Sequence, residues 1–137
     1  MNNKIETLKE KLKQALSSTA KVISDDFGAK TKNDAKNSKQ DLVELDNLNS
    51  KNDFIKARAE TDSKALRKKF SNDTIFKKNL PSSSSCKSLY TITEKIRYEK
   101  LGSKMLKGID KNLRDNYIHI INQTRKDQVK SKDDVPV

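Results

Sequence analysis

Apolar residues recur at three- and four-residue steps over much of this chain, the spacing of helices rather than strands. Ile5, Leu8, Leu12, Ala15, Leu16, Thr19, Val22 and Ile23 fall within an arc of about 120° at roughly 100° per residue. Residues 3–24 therefore predict a first amphipathic helix with Lys and Glu on its other side. Its apolar side lacks Trp and Phe, and Glu6 and Glu10 sit on the polar side, so packing within the domain is expected rather than a seat on an acidic membrane. Residues 25–41 carry almost nothing to bury, and Gly28 suits a helix stop. A long mobile loop is the expectation for 25–49. Within it, Leu42-Val43-Glu44-Leu45 fits either one short strand or an apolar clip.

A second helix is predicted from Ser50, with Asp53 three residues on as an imperfect capping box. Ile55, Ala59, Leu66 and Phe70 carry one side of it to about residue 71. Asn72-Asp73 offers an N-cap for a short turn containing Ile75 and Phe76, and Pro81 with Ser82 to Ser85 reads as a loop. A further helix is predicted from about Cys86 to Leu101. Leu89, Ile92 and Ile96 form its packing face, Tyr90 and Leu101 its edge, and Gly102 the residue just past its end. Ser103–Gly108 reads as a connection. A last helix covers about Ile109–Arg125, with Ile109, Leu113, Tyr117, Ile120 and Ile121 on one stripe. Residues 126–137 are expected to be a disordered tail. The fold class is mainly α: about four helices, the first over 1–24 and the core over 50–125.

Composition limits that core. Leu, Ile, Val and Phe make up about 23% of 137 residues, just above the roughly 20% below which a highly charged chain stays unfolded. The net charge of +11 invites a nucleic-acid reading. Yet 25 of the 30 cationic residues are Lys, a hydrated point charge, and the longest basic run is Arg67-Lys68-Lys69. A generally solvated Lys surface accounts better for that pattern. With Cys86 as the one cysteine, no internal disulfide forms, and no apolar run reaches the roughly 20 residues of a membrane span. A cytoplasmic setting is expected.

Catalytic chemistry finds no foothold. Three glycines in 137 residues supply neither G-x-x-x-x-G-K-[ST] nor G-x-G-x-x-G. One His and one Cys do not make a zinc site. His119 is expected to face solvent, away from Leu113, Tyr117 and Ile121. Cys86, with no base in view, reads as a small packing residue. No cofactor and no catalytic residue is assigned.

One ordered set of short motifs says more. Thr61-Asp62-Ser63-Lys64-Ala65-Leu66-Arg67 is followed after the loop by Glu94-Lys95-Ile96-Arg97-Tyr98-Glu99-Lys100-Leu101-Gly102. Met105, Gly108, Asn112 and Leu113 come next. This order resembles the N-terminal region of the CobT subunit of aerobic cobaltochelatase, where DS-x-ALR precedes EQ-x-R-x-E-x-x-G and then M-x-G-[VI]-x-x-NL. The specific likeness spans residues 57–114. The family often carries histidines just after the ALR motif and about five residues later; Ser71 or Asn72 and Phe76 stand there in this chain. Family members continue through an acidic middle region to a von Willebrand A-type domain with D-x-S-x-S, a motif that does not occur here.

The resemblance implies a truncated, accessory, non-chelating component of ATP-dependent cobalt insertion into a corrin ring. It implies AAA+ and chelating subunits as partners; the lack of an apolar run of membrane-spanning length argues against a membrane partner. The candidate structural or partner-contact residues are Asp62, Arg67, Glu94, Arg97, Glu99, Gly102, Gly108 and Asn112. Packing of the second and third long helices would let Arg67 meet Glu94 or Glu99, and Arg97 meet Asp62, fixing register. Gly102 and Gly108 would ease a tight path between the last two helices. Two other readings stay open: a basic helical protein associated with nucleic acid, and a helical adaptor whose first helix docks in a partner groove.

Overall fold

The computed structural model describes residues 2–25 and 50–128 of the chain. Five helices follow one another there: α1 (Asn2–Ser24), α2 (Lys51–Phe70), α3 (Asp73–Lys78), α4 (Ser84–Met105) and α5 (Lys107–Gln128). No strand occurs among the described residues, so the mainly α class holds. Gly28 and the segment 42–45 lie outside the described residues.

The local start signals act as their chemistry dictates. The Asp53 N–H donates to Ser50 Oγ at 3.2 Å, and the Ser50 N–H donates to the Asp53 carboxylate at 2.8 Å. The capping box is thus complete with Asp in place of Glu. Asn72 caps α3, its Oδ1 accepting from the Thr74 and Ile75 N–H groups at 3.0 and 3.1 Å. α1 ends at Ser24 because Asp25 turns into the left-handed region at φ 55°, which Asp tolerates better than most residues.

α2 is the hub, packed against α1, α4 and α5. It therefore buries more than one stripe: Ala57, Ala59, Thr61, Asp62, Ser63, Ala65 and Leu66 are all inside. Its small side chains let three helices approach. The core around it contains Ile23, Tyr98, Ile109 and Leu113, with Leu66 fully enclosed. α1 runs in the same direction as α2, Leu16 beside Ala57 at one end and Asp25 paired with Lys69 at the other. The α1 stripe is narrower than predicted. Leu12, Leu16, Ala20 and Ile23 pack inward, while Leu8, Ala15, Thr19 and Val22 are exposed, because α1 rests on essentially one helix.

Three expectations about α4 and α5 fail. Ser84 and Ser85 are already helical, α4 continues through Gly102 to Met105, and Leu106 alone separates it from α5. Ser103–Gly108 is therefore not a connection, and α5 runs to Gln128, past the expected end at Arg125. Gly102 is a packing residue instead of a helix stop. A Cβ there would run into Leu66 Cδ1 and Cδ2 and lie 2.9 Å from Leu66 Cγ. Gly108 has nothing within 4 Å of a Cβ and eases no tight path. Replacing Gly108 by Ala should thus raise stability by about 0.5–1 kcal/mol in a denaturant melt, as the entropy cost of a helical glycine is removed. A loss would reveal a contact at that position.

The third failure concerns the apolar face of α4. Leu89, Ile92 and Ile96, predicted as its core side, are 63%, 55% and 58% exposed. α2 stops at Phe70, whose carbonyl lies against Arg97, so the first half of α4 runs on beyond the hub. Short α3 lies beside it, Phe76 tilted against Tyr90 with ring centroids 5.1 Å apart. On α5, Ile109 and Leu113 are buried, but Tyr117, Ile120 and Ile121 are exposed. His119 is half-buried on the side of Asn112 and Asn116, not turned fully to solvent.

Candidate functional site

The motif residues converge on the seam where α2 meets α4 and α5, though not in the predicted pairs. Ser63 Oγ donates to Glu99 Oε1 at 2.6 Å, and Tyr117 OH donates to Glu99 Oε2 at 2.7 Å. One buried carboxylate thereby ties three helices together. Lys95 stands 3.8 Å from Glu99 and 5.6 Å from the centre of the Tyr117 ring. Burial, followed by the hydrogen bond to Glu99, pushes the Tyr117 hydroxyl far above its ordinary range. It therefore remains a donor throughout physiological pH.

One turn away, Asn112 Nδ2 donates to Asp62 Oδ2 at 2.7 Å. Asp62 is 3% exposed, and burial raises its pKa while Asn112, then Arg58, pull it down. Arg97 does not meet Asp62. It forks onto Glu94, Nε to Oε2 at 2.7 Å and Nη2 to Oε1 at 2.8 Å. Arg97 Nη2 also donates to the Phe70 carbonyl at 2.6 Å. That carbonyl belongs to the last turn of α2, where acceptors have no partner within the helix and a cation is favoured. Ser71 Oγ completes the cluster, donating to Glu94 Oε1 at 2.6 Å. Arg67 makes neither predicted contact; it pairs with Asp73 at 3.1 Å and lies over the Phe76 ring. The two helices do lie side by side, but hydroxyls and a backbone carbonyl meet the charges instead of opposite charges.

Sequence reasoning missed Ser63, Ser71, Asn116 and Tyr117. Tyr117 was on the apolar stripe, and its hydroxyl was the available signal, since a packed tyrosine usually finds a polar partner. Ser71, Asn72 and Phe76, at the positions where histidines were expected, hold Glu94, cap α3 and stack on Tyr90. Asn116 is buried with Oδ1 lacking a hydrogen-bond partner, and nothing in the structure explains it. Cys86 is exposed in the first turn of α4 rather than packed. Among the described residues no group of three or more His, Cys, Asp and Glu side chains could hold a metal, and no helix is long and apolar enough to cross a membrane.

Glu94 gives the seam a pH signature. Hydrogen bonding from Arg97, opposed by desolvation and aided by Ser71, lowers its pKa to about 2. A carboxylate depressed in the fold stabilises it fully above its unfolded value and loses that contribution as pH falls toward the folded one. The chain should therefore lose stability between about pH 4.5 and pH 2 in acid titrations followed by circular dichroism. Glu94→Gln should flatten that part of the profile. Asp62 works in the opposite sense: its raised pKa means the ionised form strains the fold, and protonation relieves it.

The seam ties α2, α4 and α5 together through Glu99 and Asp62, with Glu94 joining α4 to the end of α2. Comparison with known proteins agrees with the motif order. The family model for cobalamin biosynthesis protein CobT matches residues 6–137. Neither the curated proteins nor the solved structures give a match. The chain belongs to the CobT family of cobalamin biosynthesis proteins.

Proposed function

We propose that this chain is an accessory component of ATP-dependent cobalt insertion into the corrin ring, acting as a protein-contact module rather than as the chelating subunit. One observation supports the reading: α4 is tied to α2 on one side, through Glu99 and Arg97, while Leu89, Ile92 and Ile96 face outward on the other. Aliphatic side chains at helical spacing that no element of the described fold covers are the mark of a surface meant to be covered by another protein. Its partners would be the AAA+ and chelating subunits of the same assembly. The adaptor reading loses its groove-docking helix, because Leu16 and Ile23 of α1 are spent on the core.

An omission experiment tests the proposal. Cobalt insertion into the corrin ring is followed spectroscopically with the AAA+ and chelating subunits, with and without the full chain. Insertion should depend on the chain in the presence of ATP, and the chain alone should insert nothing. Insertion at the same rate without it would remove it from the assembly.

A further inference from the structure

We infer that the outer face of α4 is the docking site for an acidic amphipathic helix of a partner protein. The inference deepens the contact-module reading and rests on it. Leu89, Ile92 and Ile96 repeat at three and four residues, which makes a continuous strip along one side of α4. α5 extends the surface, since Tyr117 packs beside Lys95 and Ile121 follows one turn later. The charges of α4 beside the strip are lysines. Lys100 and Lys104 continue it toward the end of α4, and Lys95, which also pairs with Glu99, stands on its other flank; all three are exposed.

The two carboxylates of α4 are unavailable to this face. Glu94 is gripped by Arg97 and Ser71, and Glu99 is buried under Ser63 and Tyr117. The helix has spent its acids inward on the seam and left lysines outward. A complementary occupant must therefore bring aliphatic side chains along its centre and carboxylates along its margins, the helix-in-groove mode of recognition. A second copy of this chain would set lysines against lysines. A phosphate backbone would leave the aliphatic strip in water. An anionic lipid surface would match the charge, but the strip on α4 is three aliphatic side chains with no Trp or Phe among them.

The test uses the full chain and a fluorescein-labelled helical peptide of about 20 residues, with leucines on one stripe and glutamates on both margins. A second peptide carries lysine in place of every glutamate. Fluorescence anisotropy should show saturable binding of the acidic peptide only. Binding should weaken at least about tenfold in the double variant Ile92→Asp, Ile96→Asp, and again when salt rises from about 50 to about 300 mM. Lys100→Glu with Lys104→Glu provides a second variant that leaves the aliphatic strip intact, and melting curves confirm that each variant folds. The inference is overturned by equal binding of the lysine peptide, by unchanged binding in both variants, or by no binding at all. Capture of the chain by phosphatidylserine vesicles through these residues, or self-association through them, would likewise overturn it. Failure here with cobalt insertion still dependent on the chain would refute the partner chemistry alone. Dispensability of the chain in cobalt insertion would refute the functional reading instead.

Discussion

Leu66→Ala is expected to cost about 2–5 kcal/mol, enough to leave a domain of this size largely unfolded at body temperature. Among the described residues Leu66 is the largest fully enclosed side chain, at the point where α2, α4 and α5 converge. Few large apolar residues share the burden, because much of the core of α2 is Ala, Ser and Thr. The sharper form of the prediction is a double-mutant cycle with Gly102. In the native background Gly102→Ala drives a methyl into Leu66 Cδ1, Cδ2 and Cγ, all closer than 3.0 Å. Overpacking of that kind costs about 1–3 kcal/mol and outweighs the roughly 1 kcal/mol that Ala gains over Gly in a helix. In the Leu66→Ala background the same methyl enters the cavity, so Gly102→Ala should become neutral or stabilising. The two substitutions would then be coupled rather than additive. Urea melts of the four proteins measure the coupling; additive costs would mean that the close approach at Gly102 is not real.

The second large effect is expected at Glu99. Glu99→Ala removes the acceptor shared by Ser63 and Tyr117 and leaves a buried hydroxyl without a partner. Hydrogen bonds to a charged group contribute about 1.5–3 kcal/mol each, but Tyr117 is exposed enough to recover water, so a loss of about 2–4 kcal/mol is expected. Glu99→Gln preserves the shape and one acceptor and should cost about half as much. The surface pair Lys56–Glu60, at 3.9 Å, is the control, and Glu60→Ala should change stability by less than about 0.5 kcal/mol. Equal costs at Glu99 and Glu60 would show that the three-helix tie carries no weight.

The contrast between what the chain reveals and what it hides follows from the range of the forces involved. Ser50 with Asp53, and Asn72, were legible because a cap is satisfied within three residues. The helical class was legible because the apolar spacing repeats over four segments. Leu89, Ile92 and Ile96 read as a core face because spacing says that a side is apolar, not that anything covers it. What leaves them open is which side of α4 meets α2: Tyr98 and Gly102 take that side, and the strip lies roughly opposite. Gly102 read as a stop for a related reason. Glycine permits a helix end and a close helix contact equally, and only the position of Leu66 decides between them. The motif residues were found, but their pairing was not. Opposite charges suggested Arg67 with Glu94 and Arg97 with Asp62, whereas hydroxyls, an amide and the carbonyl of Phe70 took those places.

On the proposed reading, the tie and the open face form one account: α4 is held on its inner side and contacts a partner with its outer side. The most direct measurement is size-exclusion chromatography of the full chain with the AAA+ and chelating subunits, comparing the native protein with a folded Ile92→Asp, Ile96→Asp variant. The native chain should elute with the partner subunits, and the variant should elute alone with an unchanged melting curve. Coelution of the variant to the same extent would contradict the claim that this face makes the contact.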